Sequence, residues 1–222
     1  GRPCDHEQIH RERVMTDSLL IIGAGGNGRV IADLASGDSR WSRIAFLDDA
    51  IYPVDDDRPW ETLGSCADLT QHVAAFTHGI VGFGDNAMRV EWTMKLREAG
   101  LVLATIIADS ASVSARSVLG PGTVVMPRAV VNIGVKTGCA CLINTSASVD
   151  HDCLLEDGVH VAPGAHVGGD VRIGNRSWIG IGASVRHGMK VGADVVVGAG
   201  AAVVSDLPDS CVAVGVPARV RD

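Results

Sequence analysis

The chain has 222 residues, of which 46% are hydrophobic, 20% charged and only 4% aromatic, and its formal net charge is −7. That length suits one large domain or two small ones, and the acidic balance argues against a surface that neutralises nucleic-acid phosphates. No apolar run approaches a membrane span, no signal-peptide core stands at the N-terminus, and the scattered cysteines form neither a CxxC pair nor a zinc spacing, so a reduced cytoplasm fits.

Residues 1–16 are polar and lack a hydrophobic period, so they are expected to be a disordered leader outside the fold. Residues 17–106 read as a small α/β unit. Ser18–Ile22 is a buried-strand run, followed by the loop Gly23-Ala24-Gly25-Gly26-Asn27-Gly28 and a helical stretch from Arg29 to Ala35. Ile44–Leu47 is a second strand ending in Asp48-Asp49, and Gly79–Phe83 a third, leading through Gly84-Asp85-Asn86 into a helix over Ala87–Ala99. Strands alternating with helices predict a mostly parallel sheet.

The glycine loop has the spacing of a dinucleotide fingerprint. It follows a strand, opens a helix, and has Asp48 at a strand end about twenty residues on. Backbone N–H groups at such a helix start face phosphate, and the carboxylate faces a ribose hydroxyl. The unit holds one mononucleotide half rather than two, which argues against NAD and for a nucleoside diphosphate attached to something else.

From residue 107 an internal repeat takes over. Every sixth residue from Ile107 to Val203 is Ile, Leu or Val except Thr137, and the position four further on is small or apolar throughout. Glycines recur at the second position, as in Gly120, Gly138, Gly168 and Gly174, with Gly134 out of that register. No helical period gives six. A three-sided coil does, one flat strand and one corner per hexad, with the first and fifth positions pointing inward. Residues 107–222 are therefore expected to form a β-solenoid of roughly six coils stacked about 4.8 Å apart.

His151 stands at the third position of its hexad, so its side chain points away from the interior, and carboxylates flank it at Asp150 and Asp152. A neutral imidazole beside a carboxylate is suited to take a proton from an attacking amine or hydroxyl. His160 lies half a coil away and cannot face the same side within one chain. His160 and His166 fall on different faces and do not converge as zinc ligands must, so no metal is expected. Cys141 and Cys153 occupy inward positions and read as core.

The hexapeptide pattern, the glycine loop, the run Asn144–Cys153 and the ending Val214-Gly215-Val216-Pro217-Ala218-Arg219 together resemble the left-handed β-helix acyltransferases, in particular their nucleotide-sugar N-acetyltransferase and sialic-acid O-acetyltransferase group. The resemblance covers about residues 17–221. It implies acetyl-CoA as co-substrate, a homotrimer with active sites at subunit interfaces, and direct transfer with His151 as general base oriented by Asp152. It further implies a nucleotide-sugar site at Gly25, Gly26, Asn27, Asp48, Asp49, Gly84 and Asn86, with Asn27 standing where a histidine is common. His160 is implied near the acetyl group and sugar, and Gly169, Ile181, Gly182, Pro217 and Arg219 near acetyl-CoA. The expected acceptor is the amine of a UDP- or GDP-linked 4-amino-4,6-dideoxy sugar of bacterial surface glycans or glycoproteins. A sialic-acid-type O-acetyltransferase and a non-enzymatic sugar-binding solenoid are the alternatives.

Overall fold

The computed structural model describes residues 17–50 and 59–221, so the segment read as a leader lies outside the described residues. The first unit is a parallel sheet of β1 (Asp17–Ile22), β2 (Trp41–Leu47), β3 (His78–Val81) and β4 (Val102–Leu103) in the order β2-β1-β3-β4. Helices α1 (Gly26–Ser36), α2 (Leu69–His72) and α3 (Asn86–Glu98) lie between the strands in sequence. The second strand starts at Trp41, earlier than its apolar run suggests, because Trp41 is buried beside His78 in an edge-on ring contact.

Alternation along β1 divides the core. Leu19 and Ile21 join Ile31, Phe46 and Ile80 on one face, while Leu20 and Ile22 join Leu47, Val81 and Leu96 on the other. The first of these clusters continues without a break into Ile106, Val124, Met126 and Leu142. These residues belong to the solenoid, so the α/β unit and the solenoid share one core.

The solenoid has three parallel faces. The first carries Leu142–Ile143, His160–Val161, Trp178–Ile179 and Val196–Val197; the second Ser148–Val149, His166–Val167 and Ser184–Val185; the third Leu154–Leu155, Arg172–Ile173 and Lys190–Val191. Pairings such as Leu142 with His160 and His160 with Trp178 advance 18 residues, one coil at a time. Both inward positions of the hexad lie in the buried interior from Val125 to Val203.

Two details differ from the sequence reading. Ile107 is 44% exposed, because the first coil has no coil beneath it to close the interior. Gly134 is in register after all, with a different series: every sixth residue from Gly122 to Gly200 has a positive φ. That fourth position is the left-handed corner of each hexad, and glycine adopts it without a Cβ penalty. The one polar residue at a first position, Thr137, takes the place of a ladder bond, its Oγ1 accepting the Gly120 N–H at 2.9 Å.

Candidate active site

His151 sits in the turn between the second and third faces. Its N–H donates to Asp150 Oδ1 at 2.8 Å, and the same carboxylate oxygen accepts Asn132 Nδ2 from the coil below at 2.8 Å. Asp152 occupies the left-handed corner with φ 59°, a conformation that short polar side chains tolerate better than most. From there its Oδ2 lies 3.0 Å from His151 Nδ1. This hydrogen bond raises the imidazole pKa above its ordinary value, and the nearby Asp150 charge adds to the effect. With Nδ1 committed to Asp152, the basic nitrogen is Nε2, on a side chain that is 55% exposed.

Two glycines make room for this pair. A Cβ on Gly169, one coil above, would come within 2.6 Å of His151 Cε1 and nearer still to Nε2, and a Cβ on Gly134, one coil below, would run into the Asp152 carboxylate. The imidazole therefore rests over bare backbone.

The second cluster lies on the first face, in a cleft of about 650 Å³ between the solenoid and the α/β unit. Asn27, Gly84, Asp85 and Asn86 form one wall; His160, Trp178, Val196, Arg176 and Asp194 form the other. His160 is 7% exposed, and its ring stacks on Trp178 with centroids 5.8 Å apart and planes 9° from parallel. Its Nε2 is 3.1 Å from Asn144 Nδ2, an amide that only donates, so Nε2 carries no proton. Burial, helped by the Arg89 charge, drives the His160 pKa down to about 3. His160 is thus a neutral wall residue near pH 7, in contrast to His151.

On the α/β wall, the glycine loop is open. α1 starts from Gly25 with no side-chain cap, and a Cβ on Gly25 or Gly26 would meet nothing within 4 Å. Gly28 is closed, since a Cβ there would strike the Gly23 carbonyl, which fixes the close approach of helix and strand. Asp48 Oδ2 accepts the Ala24 N–H at 2.5 Å and its Oδ1 the Ala50 N–H at 2.7 Å. Asp49 accepts the Cys66 N–H at 2.8 Å and so braces the loop behind the strand end. Asn86 ties the units together by donating to the Arg176 carbonyl at 2.8 Å.

The structure therefore brings the predicted residues together in two groups rather than one. His151, Asp152 and Gly169 share the corner between the second and third faces. Asn27, Gly84, Asn86 and His160 line the cleft, Gly25 and Gly26 precede Asn27 at the start of its helix, and Ile181 and the left-handed Gly182 stand at the corner bordering the first face. Pro217 and Arg219 are exposed in the terminal hairpin that extends the first face. Cys141 and Cys153 are buried, with thiols pushed up by burial to about 12 and about 11. Among the described residues no three His, Cys, Asp or Glu side chains gather as metal ligands would. Nor is any helix there long and apolar enough to cross a membrane.

Residue typing missed Trp178, although it stands 18 residues after His160 in a chain with four tryptophans. It also missed Arg89 and the Arg176–Asp194 pair, in which the guanidinium meets the carboxylate at 2.7 and 2.5 Å.

Residues 18–96 match the family model of the PglD N-terminal domain. The solved acetyltransferase domain of PglB from Neisseria gonorrhoeae, in complex with acetyl coenzyme A, is 37% identical, with a TM-score of 0.86 over 93% of this chain and 100% of that one. The chain belongs to the left-handed β-helix sugar acetyltransferases. Another member, PerB from Caulobacter crescentus, solved with CoA and GDP-perosamine, is 36% identical with a TM-score of 0.84 over 92% of this chain and 97% of that one. The UDP-N-acetylbacillosamine N-acetyltransferase of Bacillus subtilis (strain 168) is 34% identical over 111 residues, 49% of this chain and 51% of the relative, so the match spans about half of that curated protein. As a left-handed β-helix acetyltransferase, the chain keeps both the α/β unit and the full solenoid of the solved members.

Proposed function

We propose that this protein transfers the acetyl group of acetyl-CoA to the amine of a nucleotide-linked 4-amino-4,6-dideoxy sugar, in the bacterial cytoplasm, as a homotrimer. The observation that carries the reading is the division of the site. A base with a raised pKa sits at one corner of the solenoid, and an open cleft headed by an uncapped helix start sits on the first face. Gly169 at the first of these and Ile181 at the border of the second stand at different corners, and a homotrimer that sets the corner of one protomer against the cleft of the next would join the two parts into one site. The solved complexes of the relatives, with acetyl coenzyme A and with CoA and GDP-perosamine, support these two substrate classes.

In this mechanism the nucleotide is held at Gly25, Gly26, Asn27 and Gly84, with Asp48 and Asp49 shaping the loop around it. The sugar amine attacks the thioester carbonyl carbon. As the C–N bond forms, Nε2 of His151 takes the ammonium proton, while Asp152 holds the ring and stabilises the imidazolium. The C–S bond then breaks, and the imidazolium returns the proton to the departing thiolate. His160, kept neutral, and Trp178 wall the sugar side; Gly169, Ile181, Gly182, Pro217 and Arg219 border the acetyl-CoA path.

Calorimetric titration with acetyl-CoA, UDP and GDP, each separately, tests the reading. Binding of acetyl-CoA and one nucleotide is expected, together with thiol release when a matching nucleotide-linked amino sugar is added. Binding of acetyl-CoA with neither nucleotide would instead assign a free-sugar acceptor of the O-acetyltransferase kind.

A further inference from the structure

Arg89, in α3, has no part in the chemistry above and is nevertheless fully engaged in hydrogen bonds. It is 2% exposed. Nε donates to the Ala140 carbonyl at 2.9 Å, Nη2 to the Gly158 carbonyl and to Asn86 Oδ1, each at 2.9 Å, and Nη1 to the Phe83 and Gly84 carbonyls, each at 3.2 Å. All five donors of the guanidinium are thereby satisfied, and all by neutral oxygens. Among the described residues no carboxylate forms an ion pair with it, and Asp85 acts on it only through its more distant charge. A buried cation normally demands a counter-charge, and here five carbonyl-type dipoles stand in its place.

The placement of those acceptors matters more than their number. Ala140 and Gly158 are corner residues of successive solenoid coils, whereas Phe83, Gly84 and Asn86 belong to the loop that forms the α/β wall of the cleft. One side chain therefore fixes the spacing between the two walls. It also sets the direction of the loop peptides. In a trans peptide the N–H points opposite to the C=O, so drawing the Phe83 and Gly84 carbonyls onto Arg89 turns the Gly84 and Asp85 N–H groups away from the buried side. Among the described residues neither N–H has a protein acceptor.

We propose that Arg89 is a positioning residue for the anionic part of the substrate: it holds the Gly84–Asn86 loop with its N–H groups toward the cleft and places a positive charge with no ion-pair partner behind them, so that the diphosphate of a bound nucleotide completes its counter-charge. The proposal rests on the nucleotide-binding reading above. It differs from a merely structural role by requiring a preference for charge that Arg89 creates.

The experiment compares UDP and GDP with uridine and guanosine by calorimetry, on the full chain, in the wild type, Arg89→Met and Arg89→Lys. In the wild type the preferred diphosphate should bind at least ~10-fold more tightly than its nucleoside, with the advantage falling as salt rises. Arg89→Met should lose most of that advantage, with the KM for the nucleotide sugar up ~10-fold or more and the KM for acetyl-CoA unchanged. Arg89→Lys, which keeps the charge but not the five-donor fork, should fall between. An unchanged diphosphate advantage in folded Arg89→Met overturns the proposal, as does a uniform loss for diphosphate, nucleoside and acetyl-CoA. Should Arg89→Met fail to fold, the wild type still decides, since equal affinity for diphosphate and nucleoside leaves the buried charge no role. A wild type that binds acetyl-CoA but no nucleotide removes the underlying reading instead, a result visible before any variant is made.

Discussion

Two histidines nine residues apart in one repeat have been driven in opposite directions. His151 lies at a corner, exposed, hydrogen-bonded to a carboxylate, with its pKa raised. His160 lies on a face, buried under Trp178, hydrogen-bonded to an amide, with its pKa lowered to about 3. The hexad rule is the same for both; the position within it differs. Corners project side chains into solvent, where a charge is inexpensive, and the first face is covered by the α/β unit. The proton transfer proposed above is therefore assigned to His151 alone, and His160 is left as a neutral wall of the cleft.

The contrast is broken most severely by His151→Ala. Turnover should fall by ~10³-fold or more while calorimetric affinity for CoA stays within a few-fold; turnover close to wild type would remove the histidine from the chemistry. Asp152→Asn sharpens the same side of the comparison, because Asn keeps the left-handed corner and loses the charge. The rising limb of the pH–rate profile reflects loss of the proton from His151, so it should move to lower pH as the raised pKa relaxes, with a plateau ~10²-fold lower. A limb that stays in place would show that Asp152 does not set the basicity.

Gly169→Ala should push the imidazole off its seat and lower kcat by ~10-fold or more with little change in thermal midpoint. Unaltered kinetics would mean that the ring's resting place is immaterial. The smallest effect concerns stability. His160 binds its proton more weakly folded than unfolded, so the unfolded chain takes up the extra proton as pH falls from ~6.5 toward 3. Stability should decline there by about 1 kcal/mol per pH unit, to which His78, also lowered chiefly by burial, contributes in the same direction. His160→Gln should remove part of the decline in thermal midpoint between pH 7 and 5, and a curve unchanged by the substitution would contradict a neutral, buried His160.

How much of this was legible in the sequence follows from which positions tolerate one residue type. The inward hexad positions admit only aliphatic or small side chains, so the period was visible through Thr137, whose hydroxyl replaces a backbone acceptor. The left-handed corners were not visible. Arg128, Asp152, Arg176 and Asp194 share that conformation with glycines, so no residue type marks the series, and Gly134 looked misplaced. His151 was legible because Asp150 and Asp152 adjoin it. Arg89 was not, since nothing in its place between Met88 and Val90 marks it as buried, and its burial arises only when the helix docks on coils some fifty and seventy residues away in sequence.

The 18-residue step also makes the solenoid a ruler that can be cut only at whole turns. A hexad inserted between His151 and His160 would swing everything above it to the next side of the prism, detaching the cleft wall from the unit that faces it. A full coil added beyond Val203 would lengthen the column by about 4.8 Å and leave both histidines where they are. Changes in length among such chains are thus expected to come in turns, above the site.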